Sequence, residues 1–368
     1  MGAHVAEKRW SEIDGLRALA VSGVMLSHWA PALMKPINTG VTGVRLFFVI
    51  SGFLITEILL RRRDVIASGA STLRQELKTF YARRTLRIFP AYYAAIAVIL
   101  MIGWYRHGEV EGVLWHVAFL TNVHIFQQAV WPAQFGRFWS LAVEEQFYLV
   151  WPAIVFLTPA RALRPVLAAV ILAAVGFRSA LFLGGFDPKT QIALLLPACL
   201  DPLGFGALLA ALVHDRDRLS SRMLAWVGGA SLFVWLAISI ADMQDRLIGV
   251  VLNNFVLGAL SFAILGALVS GRYPRAFAWL NWRPLQFVGR RSYGVYLYHP
   301  FGAMVTDAVT HRALPTGMRA AGAFLAALGI AQVSWLVLEQ PMLRLKDRFR
   351  YGRPARPAIG GEPDIKVV

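Results

Sequence analysis

The chain has 368 residues, of which 57% are hydrophobic and 16% are charged, and its mean hydropathy is +0.55. So apolar a composition excludes a soluble globular protein, whose surface must face water. Apolar stretches of about 20 residues, the length that crosses a bilayer, recur along the chain. The sequence therefore predicts an all-α polytopic membrane protein, a bundle of about ten membrane-spanning helices in the lipid bilayer.

The predicted spans follow one another with short polar joints between most of them. They cover residues 13–33, 41–60, 88–105, 139–158, 164–183, 193–213, 223–241, 248–269, 291–309 and 317–338. Most of the 37 Lys and Arg residues lie on the side shared with the N-terminus. The outer segments hold Lys35, Arg106, Arg137, Lys189, Arg246, Arg312 and Arg319. By the positive-inside rule both termini are predicted to be cytoplasmic, and the net charge of +16 requires no nucleic-acid partner.

The predicted domain organisation is a cytoplasmic segment (1–10), one transmembrane domain (11–345) and a basic cytoplasmic tail (346–368). The tail is rich in Pro, Gly and charge, which predicts disorder. Residues 61–90 are predicted to form a basic inner loop whose helical second half ends at Pro90. Residues 106–138 include a semi-apolar stretch too short for a span, which predicts a re-entrant or interfacial helix.

The first predicted span, in "IDGLRALAVSGVMLSHWA", carries Asp14, Arg17 and His28 among apolar residues. At about 100° per residue, Arg17 and His28 lie about 20° apart around the helix and about 16 Å apart along it. A charge in hydrocarbon costs about 3 kcal/mol or more, so this stripe is predicted to face the bundle interior or a wet cavity. His28 is a candidate general base. The alternative is an Asp14–Arg17 ion pair and a structural hydrogen bond from His28.

A second motif, "FYARRTLRIFP", places three arginines at the inner end of the third predicted span. Arg84 and Arg87 are one helical turn apart and Arg83 is beside them, so their guanidinium groups can bind phosphate oxygens. The motif therefore indicates a phosphorylated ligand that arrives from the cytoplasm. The alternative is anchoring to anionic lipid.

A third motif, "FWSLAVEEQFYLVWP", puts two carboxylates near the outer end of the fourth predicted span. Ser140, Glu144 and Tyr148 share one helix face, whereas Glu145 points about 100° away. Glu144 is a candidate for orienting an imidazole or binding sugar hydroxyls. The alternative is a solvated helix start.

Further polar residues lie within the later predicted spans. Asp201 needs a partner such as Arg45 or Arg178. One helix face of the ninth span carries Ser292, Tyr296 and His299. The single Cys199 excludes an internal disulfide and a multi-cysteine metal site, and no metal is predicted. Four histidines of the outer regions are predicted to be at the surface or interface: His107, His116, His124 and His311.

Taken together, the motifs resemble those of the membrane acyltransferase-3 family of bacterial O-acyltransferases, across about residues 10–345. The matching stretches are "IDGLRALAV…SH", "GVRLFFVISGFLIT", "FYARRTLRIFPAYY", "FWSLAVEEQFYLVWP", "LDPLGFGALLA", "GRRSYGVYLYHP" and "EQPMLRL". At position 45, where many members carry Asp, this chain has Arg.

This resemblance implies transfer of an acyl group, most often acetyl, from cytoplasmic acyl-coenzyme A to a hydroxyl of a cell-surface or exported saccharide, at the bacterial cytoplasmic (inner) membrane. It implies that His28 is the catalytic histidine, Arg17 its partner and Glu144 part of an outer site. Arg84 and Arg87, with Arg83, are implied to contact the coenzyme A phosphates. The supporting or substrate-binding candidates are Asp14, Glu145, Ser140, Tyr148, Asp201, Ser292, Tyr296 and His299. The acceptor stays open between lipopolysaccharide O-antigen, exopolysaccharide, periplasmic glucan, a lipid-linked sugar and a small metabolite.

Two other classes of protein also place ionisable residues in helices. A proton-coupled transporter is the main alternative, although the sequence has no repeated halves. A membrane scaffold is the third interpretation, and it leaves the polar stripe of the first span unexplained.

Overall fold

The computed structural model describes residues 10–31, 38–108, 110–217, 219–243, 245–311, 313–349 and 351. Across these ranges the regular structure is helical and contains no strand. The segment 1–9 and most of the predicted tail, including its expected disorder, lie outside the described residues. The all-helical prediction is confirmed for the part of the chain that is described.

The helices follow the predicted spans in order, with short helices between some of them. They are α1 Ser11–Trp29, α2 Thr39–Ala67, α3 Leu73–Tyr105, α4 Val113–Val117, α5 Thr121–Gln128, α6 Trp139–Leu157, α7 Ala160–Leu183, α8 Leu200–His214, α9 Ser221–Ile240, α10 Leu247–Val269, α11 Pro274–Phe277, α12 Arg283–Arg290, α13 Ser292–Thr310, α14 Thr316–Ser334 and α15 Gln340–Arg344. A π-helical turn, Trp335–Glu339, joins α14 to α15.

Eight helical segments of the described chain are long and apolar enough to cross a membrane. They contain α2, α3, α6, α7, α8, α9, α10 and α14. The first and ninth predicted spans correspond to α1 and α13, which have 19 residues each, or roughly 28 Å of helix, but are more polar. The chain is therefore a multi-pass membrane protein, whereas ten crossings and cytoplasmic termini stay predictions.

The prediction that a helix ends at Pro90 is wrong. Helix α3 runs without interruption for 33 residues, with Pro90 inside it, and only residues 68–72 separate it from α2. Proline is tolerated within helices that pack in membranes, because neighbouring groups satisfy the freed carbonyl. As a consequence, Arg84 lies about 17 Å from the start of α3, well within the helix.

Helix α2 lies at the centre of the bundle, against α1, α6, α8 and α10. It approaches α8 closely at two glycines. A Cβ atom on Gly52 would meet the Leu203 carbonyl, and one on Gly206 would meet the Val49 carbonyl. Small residues at such crossings let helix backbones pack directly in membranes. This close packing fixes the position of the part of α2 that carries Ser51.

The buried Asp201 pairs with Arg178, which settles the choice left open by the sequence. Two hydrogen bonds of 2.8 and 2.7 Å join the guanidinium group to the carboxylate, and both side chains are fully buried. Arg45 instead donates to the Asn254 side-chain oxygen at 2.7 Å. Asp201 and Arg45 therefore belong to the packing of α2, α7, α8 and α10, and neither lines the large cavity described below.

The segment between α3 and α6 contains the two short helices α4 and α5, where the sequence predicted one short helix, and its re-entrant or interfacial position in the membrane stays a prediction. His116 is completely buried there and contacts the Thr121 hydroxyl at 2.9 Å, so its prediction as a surface residue is wrong. Burial and the nearby His124 lower the pKa of His116 to about 4. The Tyr92 hydroxyl donates to the His116 carbonyl at 2.7 Å and ties this segment to α3.

Candidate active site

A cavity of about 610 Å³ lies among α1, α2, α3, α6 and α13. Its volume is within the range of ordinary ligand sites. Arg17 from α1 and Arg84 and Arg87 from α3 line it together. None of these three guanidinium groups hydrogen-bonds to another residue of the described ranges or forms an ion pair there, although Arg84 lies over the Tyr148 ring at 5.9 Å. Three cationic groups are thus available to a ligand.

Helix α6 contributes two of the carboxylates that line this cavity, Glu144 and Glu145. Glu144 accepts a hydrogen bond of 2.5 Å from the Ser51 hydroxyl of α2, and the Tyr148 hydroxyl donates to Ser51 at 3.2 Å. Glu144 also interacts electrostatically with Arg17, Arg84 and Arg87. The i, i+4 spacing of Glu144 and Tyr148 places both on the face that meets α2. The carboxylate is therefore held in place beside the arginines.

One expectation about the two carboxylates of α6 is wrong. Glu145 lies about 100° from Glu144 around the helix, as predicted, and both side chains nevertheless line the cavity. Glu144 was expected in an outer site apart from the arginine cluster, yet it shares one cavity with Arg17, Arg84 and Arg87. The length of α3 explains this, since it carries the arginines deep into the bundle.

Arg83 faces a different part of the chain from its two neighbours. It donates to the Phe349 carbonyl at 3.1 Å, and its guanidinium group lies 5.0 Å from the centre of the Tyr351 ring. Arg62 approaches the same ring at 4.7 Å. The predicted three-arginine cluster is therefore divided: Arg84 and Arg87 line the cavity and Arg83 contacts the C-terminal segment.

Helix α13 also contributes residues to this cavity. Ser292 and Tyr296 line it, as the shared face predicted. The Tyr296 hydroxyl donates to the Arg137 carbonyl at 3.0 Å, so it accepts from the Ser140 hydroxyl at 2.5 Å. Asp14 also lines the cavity. Five predicted residues outside the arginines and glutamates therefore meet here: Asp14, Ser140, Tyr148, Ser292 and Tyr296.

His28 does not line the arginine-rich cavity. It lies at the other end of α1, exposed to a second cavity of about 500 Å³. Its ring stacks on that of His299 with centroids 4.9 Å apart and planes 17° apart. Arg17 and His28, about 16 Å apart along α1, thus share a stripe as predicted, but they line two different cavities.

His299 and Tyr296 form the layer between the two cavities. The His299 Nδ1 donates to the Tyr296 carbonyl at 2.6 Å, which leaves Nε2 as an acceptor, and Nε2 has no hydrogen-bond partner among the described residues. The two rings have centroids 5.9 Å apart. Tyr296 lines the first cavity and His299 stacks on His28, so these two residues of α13 connect the first cavity with His28.

Ser51, Glu339, Arg290 and Arg137 are among the cavity residues that sequence reasoning missed. The first three line the first cavity and Arg137 lines the second. Ser51 and Glu339 belong to motifs quoted above, so their place in those motifs was an available signal. Arg137 directly precedes "FWS" and appeared only as one outer arginine among several.

Known proteins similar to this chain are bacterial O-acetyltransferases. The peptidoglycan O-acetyltransferase OatA of Listeria monocytogenes is 32% identical, over 90% of this chain and 55% of the relative. The putative peptidoglycan O-acetyltransferase YrhL of Bacillus subtilis is 28% identical, over 90% and 54%. The O-acetyltransferase OatA of Staphylococcus aureus is 30% identical, over 90% and 56%.

The chain thus spans about half the length of each of these relatives. No solved structure is significantly similar to it. The family model described as an acyltransferase domain matches residues 10–338, which is most of the chain. This match confirms the resemblance carried by the motifs, and the chain belongs to the acyltransferase-3 family.

Proposed function

We propose that this chain is a membrane-embedded O-acyltransferase of the bacterial cytoplasmic membrane. It transfers an acetyl group from cytoplasmic acetyl-coenzyme A to a hydroxyl of a cell-surface or exported saccharide. The observation that carries the proposal is the convergence of Arg17, Arg84 and Arg87, all without an anionic partner at hydrogen-bond distance among the described residues, on one cavity at one end of α1. The other end of the same helix carries His28 in a second cavity.

The arginine-rich cavity suits the phosphates of the donor. Guanidinium groups bind phosphate oxygens in a bidentate manner, and leaving three of them unpaired inside a membrane protein is costly unless an anion binds there. Glu144, which interacts electrostatically with all three arginines, offsets part of this charge when the donor is absent. Ser51 and Tyr148 fix Glu144, which can orient the arginines toward the donor.

His28 suits the role of general base for the acceptor. In the proposed step the acceptor oxygen forms a bond to the carbonyl carbon, its proton moves to the imidazole of His28, and the bond from that carbon to sulfur breaks. The coenzyme A thiolate leaves and takes a proton. The flexible pantetheine arm of the donor separates the thioester from the phosphates, so that the thioester can pass the Tyr296 and His299 layer. Transfer to the acceptor is direct or uses an acyl relay.

The names of the relatives support a saccharide acceptor. Two of them are named peptidoglycan O-acetyltransferases, so a peptidoglycan saccharide is the first acceptor to test. These names give no support to the alternative of a proton-coupled transporter, because each of the relatives is named as an O-acetyltransferase, one of them as putative.

Membranes that contain the chain, supplied with radiolabelled acetyl-coenzyme A and a peptidoglycan saccharide, test this proposal. For His28→Ala we expect unchanged donor binding and a rate of transfer lower by about 10²- to 10⁴-fold, the usual contribution of a general base. For Arg84→Ala we expect donor binding weaker by about 10- to 100-fold, because one charged hydrogen-bonded contact is lost.

The matched control is Arg74→Ala, which removes an exposed arginine of the same helix that does not line the cavity. It should leave donor binding and transfer at the wild-type level. Transfer at the wild-type rate by His28→Ala would remove the catalytic assignment of that residue. If wild type, Arg84→Ala and Arg74→Ala bound the donor equally well, the assignment of the arginine-rich cavity as the donor site would be wrong.

A further inference from the structure

The second cavity has a charge pattern of its own. Three arginines line it, from the end of α3, the segment before α6 and the start of α14: Arg106, Arg137 and Arg319. No acidic side chain is among its lining residues in the described part of the chain. A cavity of about 500 Å³ with this lining favours an anionic group.

The three arginines differ in whether they already have a partner. Arg319 forms two hydrogen bonds of 2.5 Å to Asp307, so its charge is balanced. Arg106 is exposed. Arg137 is half-buried, and its guanidinium group neither hydrogen-bonds nor forms an ion pair within the described ranges. Its Nε is fully buried without a hydrogen-bond partner. Burying such a donor unpaired is costly, which indicates that a ligand supplies the missing acceptor.

Arg137 is also held close to the proposed base. It interacts electrostatically with both His28 and His299. Its main-chain carbonyl accepts from the Tyr296 hydroxyl at 3.0 Å, and Tyr296 belongs to the layer between the cavities. The position of its backbone is therefore fixed independently of its side chain.

We infer that the second cavity binds an acidic acceptor, and that Arg137 is the residue that pairs with the acidic group while the acceptor hydroxyl faces His28. The group is a carboxylate on the sugar or a phosphate on its carrier, since a guanidinium group binds either in a bidentate manner. This inference rests on the proposed acyl transfer and adds the chemical class of its acceptor. Gln134, exposed in the same cavity, supplies an amide for neighbouring sugar hydroxyls.

The test compares acceptors that differ only in charge, with the purified chain in vesicles of neutral phosphatidylcholine. The neutral probe is a disaccharide of N-acetylglucosamine. The acidic probes are the same disaccharide with one unit replaced by N-acetylmuramic acid, which adds a carboxylate, and the same disaccharide with a 1-phosphate. For wild type we expect a KM for at least one acidic probe that is lower by about tenfold or more than for the neutral probe, the effect of one charge-assisted contact.

The variant Arg137→Gln should remove this preference. Arg137→Lys should keep a part of it, because lysine keeps the positive charge but cannot form the two parallel hydrogen bonds of a guanidinium group. Unchanged binding of acetyl-coenzyme A by both variants would show that they are folded. The control Arg246→Gln removes an arginine at the start of α10, away from both cavities, and should keep the full preference. An equal KM for all three probes, or a preference that survives in Arg137→Gln, would overturn the inference.

Direct binding separates this inference from the proposed function. If wild type acetylates none of the probes, calorimetric titration with the acidic disaccharides decides the matter. If the wild type binds the acidic disaccharides and Arg137→Gln binds them about tenfold more weakly, the inference is supported, whereas the proposed acyl transfer to these acceptors is contradicted. Equal binding by both proteins would overturn the inference. So would binding of phosphatidylglycerol added to the vesicles with no binding of either acidic disaccharide, because the cavity would then be a lipid site.

Discussion

The pair formed by Arg178 and Asp201 is completely buried, and it tests how strongly single residues hold this bundle together. The variant Asp201→Asn removes the negative charge and leaves the cation of Arg178 buried without a counter-ion. We expect the free energy of unfolding to fall by about 3–5 kcal/mol, the usual cost of breaking a buried pair. Thermal unfolding in detergent measures this as a lower apparent melting temperature.

The matched control for this prediction is Asp215→Asn. Asp215 pairs with Arg164 at the surface, where both side chains are more than a third exposed. Exposed pairs contribute about 0–1 kcal/mol, so this variant should melt close to wild type. If Asp201→Asn lost no more stability than Asp215→Asn, the buried pair would have no special structural role.

At the scale of the helices, the crossing of α2 and α8 positions one wall of the arginine-rich cavity. The variant Gly52→Ala would bring a methyl group against the Leu203 carbonyl, and the backbones would have to separate. Overpacking of this kind costs about 1–3 kcal/mol. We expect a lower melting temperature together with weaker binding of acetyl-coenzyme A, since the neighbouring Ser51 holds Glu144.

Gly229→Ala is the control, because Gly229 of α9 has no atom within 4 Å of the added methyl group. Alanine has the higher helix propensity, so this variant should be at least as stable as wild type. Wild-type stability and donor binding in Gly52→Ala would contradict the assigned role of the close crossing.

For the whole molecule, the proposed donor and acceptor sites require that the two ends of α1 lie toward opposite sides of the membrane. The bias of Lys and Arg predicts that the turn after α2 is cytoplasmic and the turn after α9 is outside. The only native cysteine, Cys199, is buried, so an introduced cysteine can be labelled selectively. Ala67→Cys and Ala241→Cys place exposed thiols at these two turns.

We expect a membrane-impermeant maleimide to label Ala241→Cys in spheroplasts and Ala67→Cys only after permeabilisation. Wild type, with Cys199 alone, should stay unlabelled in both conditions. The reverse pattern would show that the molecule has the opposite orientation in the membrane. The arginine-rich cavity would then face away from cytoplasmic coenzyme A.

Much of this protein can be predicted from its sequence, because the properties concerned are local or additive. Membrane insertion follows from apolar length, and the alignment of Arg17 with His28 follows from the helical repeat. The same repeat brought Glu144 and Tyr148 onto one face. The motifs, read in order, also identified the acyltransferase-3 family that the family match confirms.

Other properties depend on which helices meet and at what depth, and only the tertiary structure decided them. Helix α3 continues through Pro90, and its Arg84 and Arg87 share one cavity with Glu144 of α6. The pairing of Asp201 with Arg178, the burial of His116, and the shared cavity of Arg137 and His28 all depend on which elements pack together. Spacing within one helix fixes angles around its own axis, but it carries no information about the neighbour that a side chain will meet.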